Sequence, residues 1–133
     1  MGLAGRVVLL CDLNPSGVAH ILRGSVLAVQ ASLAEPFGLA VIEAAACGTP
    51  VVVSAVGGHL EIVEDGRTGW VFQPGDVQSC TDAIRRALAD PAEASQRAQT
   101  LALEVRARFT WQRCALQYQL LLSAISRSCS PSQ

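Results

Sequence analysis

Residues 26–54 read VLAVQASLAEPFGLAVIEAAACGTPVVVS, and this stretch decides the fold class. It opens on Val26–Gln30, an apolar run of strand length. It continues through Leu39–Cys47 (LAVIEAAAC), helical in composition and stopped by Gly48 with Pro50 just beyond. It closes on Pro50–Ser54 (PVVVS), a β-branched run that suits a strand. Strands that are apolar throughout, separated by a helix, are the pattern of a parallel sheet covered on its faces.

Working outward, Arg6–Leu10 (RVVLL) predicts a buried strand, and Asn14-Pro15-Ser16 starts a helix that reaches Gly24. Downstream, Gly57-Gly58 predicts a turn with unusual backbone angles, and His59–Asp65 a short helix ended by Gly66. Gly69–Phe72 then reads as a fourth strand. Beyond the Pro74-Gly75-Asp76 turn, three helices are predicted over Asp76–Asp90, Ala92–Phe109 and Thr110–Arg127, with Asp76, Pro91 and Thr110 at their starts. The final SCSPSQ reads as a frayed tail, so the expected layout is one domain over 1–127 and a tail over 128–133. About four strands followed only by helices is the closing part of a doubly wound α/β domain.

Composition agrees with that class. Half of the 133 residues are hydrophobic and 16% are charged, which excludes disorder, a coiled coil and a charged tail protein. A net charge of −1 supplies no field for nucleic acid or an anionic membrane. All ten basic residues are Arg, so neither Schiff-base nor Walker chemistry has its lysine. Five Cys without a C-x-x-C pair argue against a disulfide framework or a metal site. They predict thiols in a reducing cytosol, hence a cytoplasmic protein. No secretory leader is expected, because Asp12 cuts the apolar opening, and no uncharged stretch of spanning length escapes Gly or Pro.

The chemistry concentrates in Glu35-Pro-Phe-Gly-Leu-Ala-Val-Ile-Glu43. This segment follows a strand and opens a helix, at the carboxyl end of the sheet where ligands collect. The amides of Phe37, Gly38 and Leu39 form an N-terminal cluster that can bind an anion without a basic side chain. Glu35, just before the helix, is favoured as an anion by the dipole and reads equally as a simple capping carboxylate. Glu43 has Leu39, Ala40, Ala46 and Cys47 as its helical neighbours, so no intrahelical cation pairs with it. It reads as a ligand carboxylate or as a surface glutamate on the helix edge. His59 is expected as a polar helix-start residue and His20 as a surface or half-buried histidine.

These residues carry a resemblance. Residues 31–76, ASLAEPFGLAVIEAAACGTPVVVSAVGGHLEIVEDGRTGWVFQPGD, resemble the signature of retaining nucleotide-sugar glycosyltransferases of the group 1 (family 4) type. The matching features are two glutamates with seven residues between them, the CGTPVV strand entry, the Gly-Gly pair and the segment from Asp65 to Asp76. Phe109-Thr110-Trp111 looks like the step before that family's closing helix. The resemblance runs over roughly residues 2–122 and implies the GT-B architecture of two Rossmann-like domains around a cleft.

The resemblance implies roles. Glu35 contacts hydroxyls of the donor sugar and is the catalytic candidate. The amides of Phe37, Gly38 and Leu39 hold the diphosphate, and Glu43 binds the ribose. Ala31 stands where the family usually has Pro, which leaves these positions intact. Hexosyl transfer with retention is implied, with a nucleotide-diphosphate sugar as donor substrate and neither cofactor nor metal. No D-x-D motif is present to hold a metal.

The resemblance further implies that two preceding strand–helix units, with a Gly-rich turn and basic residues, and an acceptor domain or partner chain lie outside this sequence. Without those units, Val26–Gln30 offers an open sheet edge for self-association, unless RVVLL pairs directly beside it. Leu116 and Leu120–Leu122 are expected to be exposed. The alternatives are a non-catalytic remnant or interaction module of the same fold, or one subunit of a split glycosyltransferase.

Overall fold

The computed structural model describes residues 2–128. The elements run α1 (Pro15–Gly24), β1 (Ala28–Gln30), α2 (Leu39–Ala46), β2 (Val51–Ser54), α3 (Gly57–Ile62), β3 (Trp70–Phe72), α4 (Val77–Ala89), α5 (Pro91–Arg108) and α6 (Trp111–Ser128). The sheet has order β1-β2-β3, and both pairings are parallel. That is the arrangement expected for the last three strands of a doubly wound sheet.

Local chemistry starts the helices. Asn14 caps α1 by accepting the Gly17 amide at 2.8 Å, with Pro15 at the first turn. Asp76 caps α4 through the Ser79 amide, and Asp90 caps α5 through the amides of Ala92 and Glu93. The Thr110 hydroxyl accepts the Arg113 amide at the start of α6. α2 differs: its N-cap, Gly38, has no side chain to offer and sits at φ 88°.

β2 explains why the sheet is a core and not a surface. Val51, Val52 and Val53 are fully buried, and their alternation sends them to opposite faces. Val51 and Val53 pack with Val41, Ala44 and Ala45 of α2, Ile62 of α3 and Leu101 of α5. Val52 packs on the other face with Trp70, Phe72 and Ala83 of α4. Helices therefore cover both sides of a parallel sheet, as the apolar run required.

Three of the predictions need correcting. RVVLL is not a strand; the sheet has three strands rather than about four. Val7 to Leu10 lie in open coil and are 57–88% exposed. An apolar run becomes a buried strand only where a ladder and two covered faces await it, and no described element supplies them here. β1 consequently keeps one edge without a ladder partner among the described residues, with Val29 exposed. Gly57-Gly58 is not a turn of unusual angles but the start of α3, which spans Gly57–Ile62 and not His59–Asp65. His59 does lie in the first turn of α3, but its side chain belongs to the core and is 1% exposed.

The long helices fall within two residues of expectation, and Leu116 and Leu120–Leu122 are exposed as expected. The tail beyond Ser128 lies outside the described residues. No helix among the described residues is long and apolar enough to cross a membrane.

Candidate functional site

The loop from β1 to α2 is clamped onto the start of α3. Gly58 donates its amide to the Glu35 carbonyl at 2.8 Å. A Cβ on Gly57 would stand 2.5 Å from that carbonyl oxygen, and one on Gly58 2.4 Å from the Phe37 carbonyl carbon. Backbone meets backbone here, so the glycine pair is required by close approach. Gly38 is confined too: a Cβ there would meet Ile62 Cδ1 at 2.8 Å.

Below the loop, β1 and β2 are tied at their carboxyl ends. The Ser54 hydroxyl donates to the Ser32 carbonyl at 2.7 Å. His59 Nδ1 lies 3.1 Å from the Ser54 carbonyl and 3.3 Å from its hydroxyl. Ser54 is fully buried at the end of the valine strand. Sequence reasoning missed this support, although a serine closing an all-valine strand and a histidine after a glycine pair were its only signals.

The structure brings Glu35, Phe37 and Gly38 together in one arrangement. Glu35 Oε1 accepts the Gly38 amide at 2.9 Å and the Phe37 amide at 3.2 Å. The Glu35 carboxylate thus fills the cap that Gly38 leaves empty. These two amides hold its carboxyl below the usual carboxylate range, Gly38 first, helped weakly by the electrostatic influence of His59 and opposed by desolvation. Leu39, the first residue of α2, is exposed, and its amide has no acceptor among the described residues.

Glu43 sits one turn further on and elsewhere. It is exposed, it has no hydrogen-bond or ion-pair partner among the described residues, and it borders a groove of about 340 Å³ between α1 and α2. Leu13, Val18 and Leu22 form the apolar wall of that groove. Just before α2, Phe37 meets Phe109 edge to face, centroids 5.9 Å apart. Arg108 donates to the Glu61 carbonyl and lies over the Phe109 ring. Among the described residues no three His, Cys, Asp or Glu side chains converge as a metal-ligand set.

A three-stranded parallel α/β sheet covered by helices on both faces is the architecture of the C-terminal portion of GT-B glycosyltransferases. The profile of the family described as Glycosyl transferases group 1 matches residues 1–104, and the chain belongs to that family. Glycogen synthase of Mycobacterium tuberculosis is 43% identical over 103 residues, which are 77% of this chain and 25% of that protein. Sucrose-phosphate synthase from Thermosynechococcus elongatus superposes with a TM-score of 0.87 and 37% identity, covering 95% of this chain and 32% of that one. Anabaena HepE, crystallised with UDP-glucose, superposes with a TM-score of 0.76 and 28% identity, covering 81% and 30%. The chain spans about a quarter to a third of the length of these relatives.

Proposed function

We propose that this chain is the nucleotide-sugar-binding portion of a retaining, metal-independent glycosyltransferase that transfers a hexosyl group. The observation that carries the reading is Glu43, an exposed carboxylate without a partner among the described residues, one helical turn from the Leu39 amide. A ribose offers two vicinal hydroxyls, which a carboxylate accepts as a pair. The apolar wall of Leu13, Val18 and Leu22 beside Glu43 suits the nucleoside end.

The diphosphate then lies at the amides of Phe37, Gly38 and Leu39. Two of these amides are held by Glu35 itself, which gives binding a specific form. The diphosphate takes over the Phe37 and Gly38 amides, and the released Glu35 carboxylate turns to hydroxyls of the donor sugar. One anion replaces another at the same dipole, so the exchange leaves no amide unpaired. This makes Glu35 the residue that senses whether a sugar-diphosphate is present.

In this reading transfer requires an acceptor-binding domain or partner chain that these 133 residues do not include, and the site works in the cytoplasm. The test is calorimetric titration with UDP, GDP and ADP and the matching glucose conjugates. One of the diphosphates binds, and Glu43→Ala weakens it about ten- to a hundredfold, the loss of a charge-assisted hydrogen bond of roughly 1.5–3 kcal/mol. A folded Glu43→Ala chain that binds as tightly as the parent removes the ribose role.

A further inference from the structure

His59 is a titratable side chain to which the donor reading gives no task. It belongs to α3, is 1% exposed and is buried under the loop that opens α2. Its partners fix its tautomer. Nδ1 lies 3.1 Å from the Ser54 carbonyl, which can only accept, and the Ser54 hydroxyl gives its own hydrogen to the Ser32 carbonyl. Nδ1 therefore carries the ring hydrogen and donates it to the Ser54 carbonyl. Nε2 of the neutral ring keeps a free lone pair, without a hydrogen-bond partner among the described residues.

That unpartnered nitrogen is on the edge of the ring that meets the start of α2. Cδ2, the carbon bonded to Nε2, is 3.5 Å from where a Cβ on Gly38 would stand. The Gly38 amide is one of the two that Glu35 holds in the free chain. The ionisable groups around the ring are few. Glu35, on the loop, feels its charge. α2 offers only Glu43, exposed on the groove shared with α1, and β2 offers none. Glu61 of α3 is exposed, with its carbonyl taken by Arg108. With no lysine in the sequence, no fixed ammonium balances an anion seated here.

We infer that His59 is a positioning residue for the donor diphosphate, and that seating the diphosphate draws one proton from solvent onto Nε2. The inference rests on the proposed donor reading. There the amides of Phe37 and Gly38 pass from Glu35 to a diphosphate carrying about two negative charges, while the released Glu35 carboxylate stays close by. The negative charge at the start of α2 thus grows, and an imidazolium beneath Gly38 offsets it. The support does not break, because Nδ1 keeps its hydrogen on the Ser54 carbonyl in both protonation states. Donor affinity therefore rises as pH falls.

Calorimetry tests this with UDP-glucose, GDP-glucose and ADP-glucose, whose esterified diphosphates keep the same charge from pH 6 to pH 8, as that of free UDP does not. At least one binds, about tenfold more tightly at pH 6 than at pH 8. At pH 7, heats measured in two buffers of different ionisation enthalpy show a net uptake of about half to one proton. His59→Asn keeps a donor to the Ser54 carbonyl, because its amide nitrogen takes the place of Nδ1. It abolishes the uptake and binds at about the parent's pH 8 affinity throughout. His20→Gln removes the chain's other histidine, exposed on α1, and changes neither result. Should His59→Asn fail to fold, the uptake by the parent and by His20→Gln still decides. Binding that is flat with pH and takes up no proton overturns the inference and leaves the donor reading standing. So does a pH dependence that survives in His59→Asn or disappears in His20→Gln. Failure of all three sugar nucleotides to bind at any pH overturns the donor reading, and the inference with it.

Discussion

Gly58→Ala is the sharpest perturbation of the clamp that shapes the site. The added methyl would stand 2.4 Å from the Phe37 carbonyl carbon, 2.5 Å from its oxygen and 2.6 Å from its Cα, all of them backbone. No side-chain rotation relieves such a contact, so the loop from Glu35 to Gly38 must lift. Overpacking of this kind costs about 1–3 kcal/mol. Lifting also stretches the hydrogen bond from Gly58 to the Glu35 carbonyl, a further loss of about 1 kcal/mol. The higher helix propensity of alanine returns about 0.5–1 kcal/mol. The net destabilisation is roughly 1–3 kcal/mol, or a fall in melting temperature of about 5–15 °C for a domain of this size. Thermal and urea unfolding measure it, with Gly24→Ala as control, because nothing lies within 4 Å of a Cβ there. The same Gly58→Ala chain, held well below its melting temperature, loses nucleotide affinity. A variant as stable as the parent, with unchanged nucleotide binding, refutes the clamp.

Further outcomes follow from the same geometry. Glu35 has a depressed folded-state pKa, so the stability it contributes is complete above its usual value of 4.5 and is lost as pH falls through the folded value. Urea unfolding from pH 7 to pH 3 therefore shows a steeper acid loss in the parent than in Glu35→Gln; parallel curves contradict the cap. Arg97 lies 4.2 Å over the Trp70 ring and donates to the Gly69 carbonyl at 2.7 Å. Arg97→Met, which keeps the stem, costs about 1–3 kcal/mol in unfolding free energy, and a neutral result removes the strut. Nucleotide binding by calorimetry is unchanged by a chelator such as EDTA; its abolition contradicts metal-independent seating at the α2 amides.

What the sequence disclosed depended on how local the deciding physics is. PVVVS declared itself because a strand covered on both faces must be apolar at every position, and Val51–Val53 are fully buried. The helix starts were legible because Asn14, Asp76 and Thr110 act within three residues of themselves. RVVLL was misread for the complementary reason. Its composition sets a preference for extended backbone, but only a neighbouring ladder converts preference into a strand. The glycine pair was legible as special and misread in kind, since the contact that requires it comes from Glu35 and Phe37, some twenty residues away in the chain. Burial of His59 against Ser54 was hidden likewise, because it depends on how the loop folds over α3. The candidate site was half visible: Glu43 stood out by lacking a helical cation, whereas the capture of the Phe37 and Gly38 amides by Glu35 depends on loop geometry.

The central claim is that a nucleotide sugar lies across the start of α2, and the crystal structure of the chain soaked with UDP-glucose tests it most directly. The account predicts the ribose hydroxyls on the Glu43 carboxylate and the diphosphate on the amides of Phe37, Gly38 and Leu39. It also predicts the Glu35 carboxylate swung off those amides to hydroxyls of the glucose. A diphosphate seated elsewhere, with Glu35 still bound to the Gly38 and Phe37 amides, contradicts it.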